Sequence, residues 1–150
     1  AIVNLLCRTI GYGTGWLSLL LSGAIGNLFN IILRSDAHYS VGFSTAIFAA
    51  IGILCGRSLI GNQSSLIRQM ILPLGAGAGM LAMLGSGGQR TDLGAHLFGL
   101  IAGLLCGLLL QVFGFDQYGE ERGLQRILFF SALIFIIFCW MLATRSGLKI

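Results

Sequence analysis

The sequence predicts an all-α, polytopic transmembrane helix bundle with about five spanning helices. Of its 150 residues, 56% are hydrophobic and only 9% are charged, and the mean hydropathy is +0.91. These values lie outside the range of an ordinary soluble domain. A spanning helix needs about 20 mainly apolar residues. The chain contains five such stretches, over residues 14–33, 41–56, 67–85, 93–113 and 126–144. Because their connections are short, we expect residues 1–150 to form a single membrane domain.

The first stretch, residues 14–33, is rich in small residues. They fall on neighbouring turns in the string Ser22-Gly23-Ala24-Ile25-Gly26-Asn27. In lipid, unpaired backbone groups are so costly that helices form even where glycine is frequent, and glycine lets helices approach closely. We therefore expect other helices to cross this one at short distance. Ahead of it the chain opens on an apolar run without an initiator methionine, so we expect its natural start to lie further upstream.

The second stretch, residues 41–56, carries Ser44 just inside its start, after a short polar loop. Helical spacing places Ser44 on one face with Phe48, Gly52 and Cys55. Small residues below a polar group allow a second helix to approach closely. We therefore assign Gly52 to helix packing.

The third stretch, residues 67–85, contains the only proline, Pro73, in its first turns, where a missing amide hydrogen matters least. A loop rich in glycine and polar residues follows and ends in Thr91 and Asp92. Both residue types cap helices. We favour Asp92 as a helix cap over Asp92 as a catalytic acid.

The fourth stretch, residues 93–113, carries His96 just inside its start. Helical spacing places Gly99 and Gly103 on the same face as the imidazole. We assign both glycines to helix packing, because they allow the second and fourth helices to meet backbone to backbone.

The fifth stretch, residues 126–144, is bulky and apolar, which is typical of a peripheral helix that faces lipid. The loop before it holds Asp116, Glu120 and Glu121. We interpret these carboxylates as solvated surface groups.

Charge and cysteine content exclude several classes of function. The net charge is +4, but the nine basic residues are scattered through loops, which argues against nucleic-acid binding. The four cysteines lack the paired short spacing of a zinc site, and we assign them to packing. We predict no cofactor, no metal and no nucleic-acid partner. The lipid bilayer is the expected environment.

Ser44 and His96 form the best candidate site. One apolar stretch separates their segments, so both helices enter the bilayer from the same face, and the two residues lie at matching depths. A serine hydroxyl becomes a strong nucleophile when a base takes its proton, and neutral imidazole is the usual base. The pair predicts nucleophilic catalysis. From the residues alone, a serine bonded to its own backbone and a packed polar histidine remain alternatives.

Two strings resemble motifs of the rhomboid family of intramembrane serine proteases. The motifs are Gly-x-Ser and Ala-His-x-x-Gly-x-x-x-Gly, and in that family they lie on two helices with one further helix between them in the sequence. Here they read Gly42-Phe43-Ser44 and Ala95-His96-Leu97-Phe98-Gly99-Leu100-Ile101-Ala102-Gly103. Gly13-Thr14-Gly15-Trp16 and residues 22–27 resemble the family's preceding helix, so the similarity covers about residues 11–113.

The resemblance implies a role for each residue. Ser44 would be the nucleophile of a serine endopeptidase, His96 the general base and then acid, and Phe48 the aromatic residue stacked on the imidazole. Gly42 and the backbone amide of Ser44 would support the oxyanion. The implied substrates are single-span membrane proteins cut near the outer membrane boundary. The implied location is the bacterial inner membrane, with the pair open to the non-cytoplasmic face.

The chain departs from the family pattern at two points. Thr45 stands where glycine commonly follows the nucleophile. Earlier family helices carry a His-x-x-x-Asn oxyanion motif, and Asn4 lacks the histidine and lies too near Gly13 to be that asparagine. We therefore expect residues 1–150 to be the C-terminal part of a rhomboid-like membrane domain, from its third core helix to its sixth. The segment 126–144 would be one extra C-terminal helix.

Two other functions stay open. A catalytically inactive rhomboid-like protein would bind membrane helices as a chaperone or scaffold, although the retained Ser44 and His96 argue against it. A small transporter or channel subunit has poor support, since no stretch carries a central acidic residue or a pair of proline-broken helices.

Overall fold

The computed structural model describes residues 1–33, 43–59, 75, 79, 92–115 and 121–145. Within these ranges the chain forms five α-helices and no strands. The helices are α1 (Ile2–Ile10), α2 (Tyr12–Leu33), α3 (Ser44–Ser58), α4 (Leu93–Val112) and α5 (Arg122–Arg145). The predicted all-helical membrane bundle is confirmed.

Three of the predicted spans appear as helices that are long and apolar enough to cross a membrane: α2, α4 and α5. The predicted span 41–56 is a shorter apolar helix, α3, which begins at Ser44 and has 15 residues. The predicted span 67–85, with Pro73, lies outside the described residues except for Gly75 and Gly79, which are both helical.

Helix α1 was not among the predicted spans, because its nine residues are too few for a membrane crossing. It buries Leu6 and Ile10 in a core shared with α2 and α3. Gly11 separates α1 from α2 and has a φ of 89°. This left-handed conformation strains any residue with a Cβ atom, so glycine permits the sharp turn between the two helices.

Helix α5 is attached to α2 by the side chain of Gln125, which is 2% exposed. Its Oε1 accepts hydrogen bonds from the backbone N–H groups of Gly13, at 2.8 Å, and Thr14, at 3.1 Å. Its Nε2 donates to Thr14 Oγ1 at 3.0 Å. Gln125 thus caps the N-terminus of a different helix, whose first amides have no intrahelical partner. Most of α5 beyond this point is exposed, consistent with a peripheral helix facing lipid.

Helices α3 and α4 form the most extensive interface of the described fold. Glycines from both helices lie against the backbone of the other helix, namely Gly52, Gly56, Gly99, Gly103 and Gly107. A Cβ atom placed on Gly99 would lie 2.6 Å from the carbonyl oxygen of Thr45. The two helices therefore approach more closely than side chains would permit, and this approach brings their N-terminal ends together.

Candidate active site

Ser44 is the first residue of α3 and is half-buried. Phe43 precedes the helix and is exposed, so the serine lies where the chain enters the bundle. The N–H of Ser44 is among the first four of the helix, which have no intrahelical acceptor. The Ser44 side chain therefore stands beside amide groups that have no acceptor within the helix and at the positive end of the helix dipole.

His96 is the fourth residue of α4 and is 4% exposed. Its Nε2 lies 2.8 Å from the Oγ of Ser44. When the imidazole proton is on Nδ1, the serine hydroxyl donates to Nε2, which is the arrangement required for proton transfer. The structure therefore joins the two residues that the sequence singled out, across 52 positions of the chain.

Phe48 lies one turn after Ser44 on α3 and is 1% exposed. Its ring stacks on the imidazole of His96, with centroids 4.6 Å apart and planes inclined by 27°. This contact covers one face of the imidazole and restricts its tilt. The Nδ1 atom is buried, and no residue in the described ranges accepts a hydrogen bond from it. Among the described residues, the stacked ring of Phe48 and the hydrogen bond with Ser44 therefore define the orientation of the imidazole.

Asp92 caps α4, as predicted: its Oδ1 accepts a hydrogen bond from Ala95 N at 3.1 Å. Its other oxygen, Oδ2, accepts from Asn30 Nδ2 of α2 at 2.7 Å. Sequence reasoning missed Asn30. The available signal was a second asparagine in an apolar spanning segment, since polar residues in such segments often bond between helices.

The remaining predicted site residues occupy different places. Gly42 lies outside the described residues. Gly52, Gly99 and Gly103 lie in the α3–α4 interface below the serine and histidine. Asn4 is exposed on α1. In the part of the chain that the structure describes, no three His, Cys, Asp or Glu side chains are grouped as metal ligands.

A family model described as Rhomboid domain matches residues 1–113. The matched region includes α1 to α4, and therefore both Ser44 and His96, and it ends before α5. Comparison with curated proteins and with solved structures gives no match.

Proposed function

The chain belongs to the rhomboid family, and on that premise we propose that it is an intramembrane serine endopeptidase acting through Ser44 and His96. The observation that carries the proposal is the 2.8 Å contact between Ser44 Oγ and His96 Nε2. The two side chains meet at the starts of two adjacent apolar helices, and we propose that this end of the bundle lies next to the membrane boundary, where water can reach it.

In the proposed reaction, Ser44 Oγ attacks the scissile carbonyl while its proton moves to Nε2 of His96. The resulting imidazolium then gives that proton to the leaving amine, and the acyl group remains on the serine as an ester. Water attacks the ester with His96 again accepting a proton. Hydrolysis releases the second product and restores both side chains.

The developing oxyanion requires hydrogen-bond donors fixed in advance. We assign one donor to the N–H of Ser44, because the start of α3 offers unpaired amides and a favourable dipole. Gly42 would keep the backbone before the nucleophile accessible to the substrate.

The proposed substrates are single-span membrane proteins. Carbonyl groups within a substrate helix are bonded to their own backbone, so the segment must unwind before Ser44 can attack. Helix-breaking residues near the cut should therefore favour cleavage. The chain is an integral membrane protein of the rhomboid family, and we place it in a bacterial inner membrane with the site facing the non-cytoplasmic side.

The test is labelling of the protein in detergent micelles with a fluorophosphonate probe, together with cleavage of a single-span reporter in liposomes. We expect label on Ser44, and loss of both label and cleavage in Ser44→Ala. Ser58→Ala is the matched control, because Ser58 lies at the other end of α3 and its hydroxyl donates to the carbonyl of Cys55. Unchanged cleavage in Ser44→Ala would overturn the proposal. Reporter binding without cleavage in the parent protein would favour the chaperone or scaffold function instead.

A further inference from the structure

Asn30 and Asp92 form a buried polar pair that the proposed reaction does not use. Their exposed fractions are 6% and 7%, and Asn30 Nδ2 donates to Asp92 Oδ2 at 2.7 Å. A charged group away from water is costly unless its hydrogen bonds are satisfied. Here one carboxylate oxygen accepts from Asn30 and the other from the N–H of Ala95. The pair therefore joins α2 to the first turn of α4.

The space for this contact is provided by Gly94. A Cβ atom at Gly94 would overlap the side-chain oxygen of Asn30. The start of α4 thus lies close to α2 at the position where the asparagine reaches the carboxylate. A residue larger than glycine at position 94 would displace Asn30.

Asp92 is also the N-cap of the helix on which His96 is the fourth residue, so the two residues bracket the first turn of α4. The His96 N–H donates to the Asp92 carbonyl at 3.2 Å, which fixes the first turn between them. The carboxylate lies within this first turn, where it accepts a hydrogen bond from the N–H of Ala95, the residue next to His96, while Nδ1 of the imidazole has no acceptor among the described residues. An effect of Asp92 on the ring would therefore act through its charge rather than through a hydrogen bond to Nδ1.

Among the described residues, the side chains that contact the imidazole are uncharged. Ser44 and Phe48 face it from α3, and Asn30 approaches the carboxylate from α2. In the part of the chain that the structure describes, Asp92 is the acidic residue that belongs to the same helical turn as His96.

We propose that Asp92, held in place by Asn30, is a positioning residue that stabilises the imidazolium formed on His96 when Ser44 attacks. The inference rests on the proposed protease function. The proton moves from Ser44 Oγ to His96 Nε2, and Asp92 stays ionised and takes no proton. Its fixed negative charge favours the state in which the histidine is positive. Asn30 prevents the carboxylate from turning away toward water.

The decisive variant is Asp92→Asn. Asparagine and aspartate are equivalent helix caps, and Asn30 can rotate its amide to accept from the new side chain, so the variant removes the charge and keeps the contacts. We expect kcat to fall by about tenfold to a hundredfold, with KM within about twofold and an unchanged thermal midpoint. Asp92→Ala should lower both kcat and the thermal midpoint, because it removes the cap as well.

Asn30→Leu is the second variant, and it keeps the cap and the charge but removes the contact from α2. We expect a smaller fall in kcat, again with KM retained. Gln125→Ala serves as the control for loss of stability alone, since its contacts lie at the far end of α2. Purified protein in micelles is assayed for reporter cleavage, Ser44 labelling and thermal unfolding.

The outcomes separate this inference from the proposed function. If the parent protein neither labels at Ser44 nor cleaves, the protease function fails. If the parent cleaves and Ser44→Ala does not, but Asp92→Asn keeps full kcat, the positioning role is overturned. Gln125→Ala shows how far kcat falls when the thermal midpoint alone is lowered. If the fall in kcat in Asp92→Asn is no larger than that expected from its own thermal midpoint, the positioning role is likewise overturned. Should Asp92→Asn fail to fold, full kcat in Asn30→Leu would be the contradicting result.

Discussion

The ring of Phe48 lies against the imidazole of His96, with centroids 4.6 Å apart and planes inclined by 27°. The two residues come from different helices, and the contact depends on the close approach of α3 and α4. Because Nδ1 has no acceptor among the described residues, the stacked ring restricts how the imidazole can tilt away from Ser44. Phe48 therefore links the packing of the bundle to the geometry of the candidate site.

Replacing Phe48 by leucine should slow the reaction without unfolding the protein. Leucine keeps most of the buried volume but loses the aromatic contact, which contributes about 0.5–1.5 kcal/mol. We expect kcat to fall by about twofold to tenfold, measured with the reporter in liposomes. Phe129→Leu is the matched control, because Phe129 packs edge-on against Tyr12, away from the site. Equal losses in both variants would contradict a specific role for Phe48.

Replacing His96 by alanine should remove the general base. We expect the rate of fluorophosphonate labelling at Ser44 to fall by about a hundredfold or more. The control is His38→Ala, which changes the other histidine of the chain. If His96→Ala retained the labelling rate of the parent protein, another group would have to activate the serine.

Replacing Gly103 by alanine should separate α3 from α4. The added methyl group would overlap the carbonyl of Ala49, and overpacking of this kind costs about 1–3 kcal/mol. We expect a lower thermal midpoint together with a loss of Ser44 labelling, because the site depends on this approach. Gly123→Ala is the control, since a Cβ atom there meets nothing within 4 Å. A normal labelling rate in Gly103→Ala would show that the site tolerates a wider spacing.

Replacing Gln125 by alanine should destabilise the junction of α2 and α5 and leave the chemistry intact. Two backbone N–H groups of α2 would lose their acceptor, at a cost of about 1–3 kcal/mol. We expect a lower thermal midpoint but a normal labelling rate at temperatures where the variant is folded.

Gln125→Glu provides the matching rescue variant. Its carboxylate can accept from the same two N–H groups and from the hydroxyl of Thr14, and a negative charge is favourable at a helix N-terminus. Stability should therefore recover at least in part. If Gln125→Ala unfolded at the same temperature as the parent protein, the cap would be energetically unimportant.

Hydropathy and spacing were sufficient for the helical class, for α2, α4 and α5, and for the cap by Asp92, because each depends on residues close together in the chain. The same reasoning selected Ser44 and His96 and the glycines below them. It did not predict α1, which is too short for a membrane span. It also placed the start of the second predicted stretch at residue 41, three residues before α3 begins at Ser44.

The sequence by itself determined which segments are helical and which faces can pack, since hydrophobic burial and helical periodicity are local properties. Only the tertiary structure decided that Asn30 meets Asp92 across 62 positions and that Gln125 meets Gly13 across 112. These contacts depend on the rotation and tilt of each helix about its neighbours. Those angles follow from contacts summed over the whole α2–α3–α4 interface and over the α2–α5 interface, which no single motif specifies.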